Sequence, residues 1–199
     1  MLTLNIRKKL LLYLDTNIFL DLIRKRNDDS VELFRKIKKG DYRTVTSFFT
    51  LLEITEDEQK RVFAEREIVM RKKSFDEVRT RIYERDLGKA ELESIEIHLK
   101  KEVYKPFVDT EKIGIRYLDD EGWDRALELL GKLNISASDS IHLAIADLLN
   151  CDVFVTNDSQ LRKVAEKCFE PAKMTFASSS EIAEKIKTLR KVRTEKKKE

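Results

Sequence analysis

Short apolar or β-branched runs alternate along the chain with longer segments of helical periodicity. The run Leu10–Leu14 contains no charged residue, as is typical of a strand buried on both faces of a parallel sheet. Comparable runs predict four further extended segments: Arg43–Ser47, Ile113–Asp119, Asp152–Thr156 and Lys173–Ala177. The third of these is either a short strand or an extended connection. Strands that alternate with helices favour a mostly parallel α/β sandwich.

Capping residues and glycines divide the remaining segments into helices. Ser30–Lys38 is predicted as a helix that Ser30 caps and Gly40 ends. From about Thr55 to Lys105 the pattern is helical, with charged faces. The break at Asp86–Gly88 predicts two long helices packed as a hairpin, and Pro106 is expected to end them.

The charge is distributed unevenly along the 199 residues. Charged residues make up 39% of the chain, yet the net charge is only +3. Residues 185–199 contain eight Lys or Arg and two Glu, which leaves an acidic remainder. We therefore predict one domain over residues 1–184 and a basic C-terminal tail over 185–199. The tail is interpreted either as a solvated helix end or as an arm that attracts phosphates.

Cysteine usage and hydropathy bear on the cellular location. Cys151 and Cys168 lack the spacing of a metal motif, and free thiols are typical of a reducing compartment. The apolar run before Asp15 is too short for a signal peptide, and no stretch approaches the roughly 18 apolar residues of a membrane span. The protein is expected to be cytoplasmic, with no membrane partner.

Four acidic residues occupy positions that a parallel α/β fold can bring together. Asp15 and Asp158 each follow an apolar run, whereas Glu53 and Asp139 lie near the starts of predicted helices. Ligands of open α/β sheets bind beyond the carboxyl ends of the strands, and oxygen-only ligands are those that Mg²⁺ or Mn²⁺ prefers. Such a metal can activate a water molecule against phosphorus. The pattern thus predicts hydrolysis of a phosphate ester.

Each acid also has a structural interpretation when it is taken alone. Asp15 can cap the following helix, Asp139 can be an ordinary helix-start acid, and Asp158 can form a turn. Glu53 can be a surface residue, and Glu56 is its nearest rival as the second acid. His142, three residues after Asp139, is interpreted as structural or supporting, because a metal mechanism requires no histidine base.

Four segments together resemble the PIN-domain nucleases, a family that includes the VapC-like ribonuclease toxins of toxin–antitoxin pairs. They are LYLDTNIFLD, SFFTLLEI, SASDSIHLAIA and VFVTNDSQL, within about residues 10–55 and 120–180. The resemblance implies a three-layer sandwich around a five-stranded parallel sheet. It also implies an Mg²⁺- or Mn²⁺-dependent endoribonuclease that acts on single-stranded RNA.

The resemblance also assigns roles to particular residues. It implies that the metal-binding and catalytic acids are Asp15, Glu53, Asp139 and Asp158. It further implies supporting polar roles for Asn17 and Thr156, beside which Asn157 is a candidate ligand-orienting group. An antitoxin protein and a second copy of the chain are the partners expected of a VapC-like toxin.

Two segments depart from the typical small toxin. The helical region at about 55–105 is predicted to be an insertion, and the basic tail lies outside the resemblance. Two alternative functions stay open: a catalytically silent PIN-like module that binds RNA or protein, and a haloacid-dehalogenase-like phosphatase. The phosphatase requires an acid two residues after its nucleophile, where this chain has Asn17.

Overall fold

Five parallel strands form one sheet in the order β3-β2-β1-β4-β5. A computed structural model describes residues 9–171 and 173–195, with side chains as far as residue 191. The strands are β1 (Leu11–Leu14), β2 (Arg43–Ser47), β3 (Gly114–Arg116), β4 (Val153–Val155) and β5 (Thr175–Ala177). Each predicted run therefore contains a strand, and the segment at 113–119 proves to be a short one.

Nine α-helices connect and cover the strands within the described part of the chain. They are α1 (Thr16–Arg24), α2 (Asp28–Lys39), α3 (Phe48–Glu65), α4 (Phe75–Arg81), α5 (Lys89–Leu99), α6 (Asp120–Leu133), α7 (Ala137–Leu148), α8 (Ser159–Ala165) and α9 (Ile182–Glu195). The last one contains most of the predicted basic tail. Residues 196–199 lie outside the described residues.

The sheet separates two apolar layers, which gives the predicted three-layer sandwich. Leu12 and Leu14 of β1 pack into one layer with Phe19 and Phe34. Tyr13, which points to the opposite face, packs into the other layer with residues of α6, α7 and β5. Leu12, Tyr13 and Leu14 are all fully buried, which explains why this strand is apolar on both faces.

The helical region after β2 differs from the predicted hairpin of two long helices. A π-helical turn at Arg66–Met70 extends α3, and the chain then turns before α4, whose start is a capping box between Ser74 and Glu77. The break at 86–88 is confirmed, since α5 begins at Lys89. The expectation that Pro106 ends the region was wrong, because Pro106 lies inside a π-helical segment, Lys100–Val108. The wider helical turn lacks the i−4 hydrogen bond that proline would otherwise break.

The predicted cap of α2 was also wrong. Asn27 caps this helix by accepting from the backbone N–H groups of Asp29 and Ser30, and Gly40 ends it with a left-handed backbone (φ 79°). Ser30 is fully buried instead, and its hydroxyl donates to Asp21. Local sequence alone does not distinguish a buried serine that bonds another side chain from a serine that caps a helix. Within the described residues, no helix is both long enough and apolar enough to cross a membrane.

Candidate active site

Asp15 lies at the switch point of the sheet, between the carboxyl ends of β1 and β4. Its backbone N–H donates to the carbonyl oxygen of Val155 (3.0 Å), which ties the end of β1 to β4. The chain leaves β1 towards β2 on one side and reaches β4 on the other. A parallel sheet opens a crevice at such a reversal, and α/β proteins bind ligands there.

The Asp15 carboxylate is almost completely buried, with 5% exposure. One oxygen accepts from the backbone N–H of Thr16 (2.8 Å). The other accepts from Asn17 Nδ2 and Thr156 Oγ1, both at 2.7 Å. Burial raises the pKa of Asp15, and the nearby charge of Asp139 acts in the same direction, whereas His142 and the hydrogen bonds oppose the rise. The site therefore holds an oriented carboxylate whose negative charge is costly.

Glu53, on the second turn of α3, contacts three side chains from two other helices. Its oxygens accept from the hydroxyls of Thr16 and Ser138, and one lies 2.8 Å from Nε2 of His142. Burial alone would raise the pKa of Glu53, but the hydrogen bond and charge of His142 and the two hydroxyls lower it to about 2. Glu53 is therefore ionised throughout the physiological range.

His142 is a buried residue in the middle of α7 that lies between Glu53 and the side chains of β1 and β2. Its Nδ1 lies 2.8 Å from the hydroxyl of Tyr13 and 3.2 Å from that of Ser47. Burial tends to lower the pKa of His142, but the hydrogen bond with Glu53 and the charges of the surrounding acids raise it. His142 therefore holds Glu53 through a hydrogen bond.

Asp139 occupies the first turn of α7, where one of its oxygens accepts from Ser136 Oγ (2.7 Å). Its charge acts on both Asp15 and His142, so these three residues share one electrostatic site.

Asp158, in contrast, is held as the cap of a helix. It caps α8 by accepting from the N–H groups of Gln160 (2.8 Å) and Leu161 (2.9 Å), and it reaches the site only through Thr156, whose hydroxyl accepts from the Asp158 N–H (3.0 Å).

The supporting residues divide in the same way. Asn17 Nδ2 bonds both Asp15 and Thr156, and Thr156 also donates to Asp15. The side chain of Asn157 contacts none of the four acids. It bonds Asp21, Ser30 and Ser179 instead. Glu56, the rival of Glu53, lies on the surface and pairs with Lys60 and Arg85.

Thr16 and Ser138 are site residues that sequence reasoning missed. Both hydroxyls donate to Glu53. Each directly follows or precedes an acid of the motifs, Asp15 or Asp139, and this adjacency is the one signal that could have identified them. Helix-start hydroxyl residues are so commonly caps that the signal is weak.

The oxygen donors of the four acids are of the kind that a hard cation prefers, but their side chains do not converge on one point. Among the described residues, no Lys or Arg forms an ion pair with any of the four, which leaves their negative charge available to a cation. In the same part of the chain, no three His, Cys, Asp or Glu side chains converge closely enough to hold a metal ion. Glu53 and Asp158 are occupied by protein donors, so binding a metal would require their side chains to turn.

Comparisons with known proteins identify the class. The family model of the PIN domain matches residues 12–167, and the chain therefore belongs to the PIN domain family, whose members are generally nucleases. A comparison with curated proteins finds no match.

Solved structures with a similar fold come from VapBC and related complexes. VapBC2 from Rickettsia felis, bound to a DNA fragment from their promoter, has a TM-score of 0.53 at 15% identity, covering 85% of this chain and 98% of that one. FitAcB from Neisseria gonorrhoeae has a TM-score of 0.52 at 14% identity, covering 83% and 96%. DNA-bound VapBC from Salmonella typhimurium has a TM-score of 0.52 at 14% identity, covering 85% and 98%. At this identity the likeness shows the fold.

Proposed function

We propose that this chain is a metal-dependent endoribonuclease that hydrolyses phosphodiester bonds of single-stranded RNA. The observation that supports it best is the buried Asp15 carboxylate at the switch point, close to Asp139 and without a Lys or Arg partner among the described residues. Membership of a family of nucleases supports the reaction class. A buried charge without an ion-pair partner is costly, and a bound cation would offset the part of this cost that the hydrogen bonds of Asp15 do not.

In this proposal Mg²⁺ or Mn²⁺ would be held by Asp15, Glu53, Asp139 and Asp158. The bound cation would supply positive charge to the phosphate and lower the pKa of the attacking water. The protein supplies the rest. Asn17, Thr156 and the Thr16 N–H fix the orientation of Asp15, so that this ligand loses little freedom on binding.

Glu53 and its partners have a second task in the proposal. His142, Thr16 and Ser138 keep the Glu53 carboxylate ionised and restrain it beside α7. A carboxylate that is already ionised can rotate onto a cation without first losing a proton. The hydrogen bonds that it would exchange for metal contacts are each worth about 1.5–3 kcal/mol, because they go to a charged group, and the metal contacts would have to offset this loss.

The proposed partners are RNA, an antitoxin-type protein and a second copy of the chain. Similarity of fold to VapBC structures supports the antitoxin. Exposed apolar side chains support self-association, since Phe48 stacks on Tyr117 (5.4 Å) and Trp123 and Leu127 lie one turn apart on α6. Leu127→Glu is expected to lower the mass seen in sedimentation equilibrium. We further propose that the protein acts in the cytoplasm, where free thiols such as those of Cys151 and Cys168 persist.

Cleavage of a fluorescent single-stranded RNA by the full chain tests the proposal. With Mn²⁺ the wild type should cut the RNA, and chelation should stop it. Asp15→Asn should reduce the rate at least about 100-fold, whereas Asp109→Asn, the same change at an exposed residue outside the site, should not. Unchanged cleavage by Asp15→Asn would place the reaction elsewhere.

The second candidate is a silent PIN-like module that binds RNA or protein. One observation favours it: the described residues contain no three-ligand cluster. Such a module would bind RNA equally well with and without Mn²⁺, and loss of one carboxylate would not change that binding. The same two variants in a binding assay therefore separate the two functions.

A further inference from the structure

A single buried carboxylate gathers several cations at the far end of α3. Glu67 is 1% exposed, and nitrogen atoms of four basic side chains lie within 4 Å of it. They belong to Arg66, Arg71, Lys73 and Arg81. We call residues 66–85 the basic tip. This segment consists of the π-helical turn after α3, then α4, and then a short 3₁₀ helix at Ile82–Glu84.

The basic tip has more positive charge than its own acids neutralise. Residues 66–85 contain seven Lys or Arg and four Asp or Glu. Arg66 is shared with Asp86 and Glu91, which leaves Arg71, Lys73 and Arg81 around the one charge of Glu67. Lys72 and Arg79 are exposed and form no ion pair among the described residues. An anchored cation loses less side-chain entropy on binding an anion than a free one does, so Arg71 is preorganised for phosphate by Glu67, whereas Lys72 and Arg79 supply positive charge that no acid among the described residues offsets.

Two aromatic side chains of the basic tip are also exposed. Phe75 is 69% exposed, and it is the first residue of α4, three positions after Lys72. Tyr83 is 77% exposed, with the Lys60 ammonium 5.3 Å from its ring centre. Isolated exposed hydrophobic residues are ordinary. Exposed rings that alternate along a segment with basic side chains are the combination by which proteins bind single-stranded nucleic acid, through base stacking and phosphate contacts.

We propose that the basic tip is a binding surface for single-stranded polynucleotide, where Arg71, Lys72 and Arg79 contact phosphates and Phe75 and Tyr83 stack on bases. In the proposed function, on which this inference rests for its biological substrate, the polynucleotide is RNA. Glu67 follows Glu53 by 14 positions, which corresponds to about 20 Å along a helix. The tip would then hold a strand outside the site where the strand is cut.

Charge decides between this occupant and the other possible ones. A second copy of the chain would bring two surfaces of the same sign together, and like charges repel. A protein partner would have to be acidic, and its acidic groups would account for the cations but not for the exposed rings. Polynucleotide satisfies both features at once, so it is the occupant that the residues favour.

The test measures binding, without cleavage, of the full chain in a chelating buffer. The probe is a fluorescent oligouridine of 20 nucleotides. Binding of oligothymidine and of a duplex of the same length is measured for comparison. The variants are Lys72→Glu/Arg79→Glu and Phe75→Ala. The matched control is Lys38→Glu together with Lys101→Glu, which makes the same charge change at exposed lysines of other segments. Circular dichroism checks that each variant is folded.

The double variant should weaken binding about tenfold or more at low salt and reduce the slope of log affinity against log salt by about 1.4, because two phosphate contacts are lost. Phe75→Ala should weaken single-strand binding about fivefold or more and duplex binding much less. Weaker binding of oligothymidine than of oligouridine would identify RNA as the ligand. Equal binding would show that the surface accepts single-stranded RNA and DNA alike. The inference is overturned if the tip variants bind as the control does, which would leave an acidic protein as the occupant.

These outcomes separate the inference from the proposed function. If the tip variants lose binding but the wild type does not cleave RNA with Mn²⁺, the surface stands and the nuclease does not. If the wild type cleaves RNA while the tip variants and the control share one Kd and one KM, the nuclease stands and the surface does not.

Discussion

His142 Nε2 lies 2.8 Å from a carboxylate oxygen of Glu53, and this contact joins α7 to α3 across the candidate active site. The same imidazole reaches Tyr13 and Ser47 in the sheet through Nδ1. One buried ring thus connects an acid of the site to the central strands. The position of Glu53 therefore depends also on Tyr13 and Ser47, which hold the ring from the sheet.

The coupling between these two residues should be large for a single contact. Hydrogen bonds to charged groups contribute about 1.5–3 kcal/mol, and we expect a double-mutant cycle of Glu53→Gln and His142→Gln to give about 1.5 kcal/mol in urea at pH 6 with chelator present. The exposed pair Lys89–Glu93 on α5 is the control, for which about 0.3–0.5 kcal/mol is expected.

The same coupling should depend on pH in one direction. The pKa of His142 is raised in the folded state, so the stabilisation is complete below the ordinary pKa of about 6.5 and is lost as the pH rises through the folded-state value. The pKa of Glu53 is lowered to about 2, so its share is lost only as the pH falls towards 2. A coupling that grew with alkaline pH would contradict the charged pair.

Cation binding should appear as thermal stabilisation even when no RNA is present. At about 100 times its Kd, a ligand of the folded state adds about 2.7 kcal/mol, which corresponds to an increase in Tm of about 5–10 °C for a chain of this size. We expect this increase for the wild type and Asp109→Asn with Mn²⁺, and less than about 1 °C for Asp15→Asn. Equal increases in all three proteins would show that the cation binds elsewhere.

Asn157 should matter for stability more than for catalysis. Its amide donates to Asp21 (2.7 Å) and Ser30 (3.2 Å), and its oxygen accepts from Ser179. Because Asn157→Ala leaves buried Asp21 without this donor, we expect a loss of about 2–4 kcal/mol in unfolding free energy. Cleavage below the lowered Tm should stay within about threefold of the wild type.

A second substitution separates lost hydrogen bonds from charge at this position. Asn157→Asp places a carboxylate beside Asp21, and like charges destabilise a buried site. Urea titrations of this variant should show a larger loss of stability than those of Asn157→Ala, which removes the same donor without adding a charge. If the two variants lost the same stability, repulsion would not be the cause.

The buried thiol of Cys151 predicts a loss of stability at alkaline pH. Burial raises its pKa from 9.0 to about 12, so above pH 9 the unfolded chain ionises while the folded chain does not. Stability therefore falls as the pH rises through this window, by about 1.4 kcal/mol at pH 10. The stability difference between the wild type and Cys151→Ala should shrink by this amount between pH 7 and pH 10. In the native protein, iodoacetamide should modify the half-buried Cys168 first.

Local pattern was sufficient for the strands and for much of the site. Arg43–Ser47 was predicted with the bounds that the structure has, because its neighbours differ from it in charge and in β-branching. Asp15 was identified because a buried strand ends directly before it. The helices around 66–85 were not predicted, since a π-helical turn and a short capped helix have the same polar composition as one continuous surface helix.

The sequence by itself determined the fold class and the short segments that contain the acids, because periodicity and strand-end positions are local properties. Only the tertiary structure decided which distant groups meet, since it joins Glu53 to Thr16, Ser138 and His142. These contacts link positions as many as 89 residues apart. They depend on how helices pack on the sheet, which no local pattern encodes.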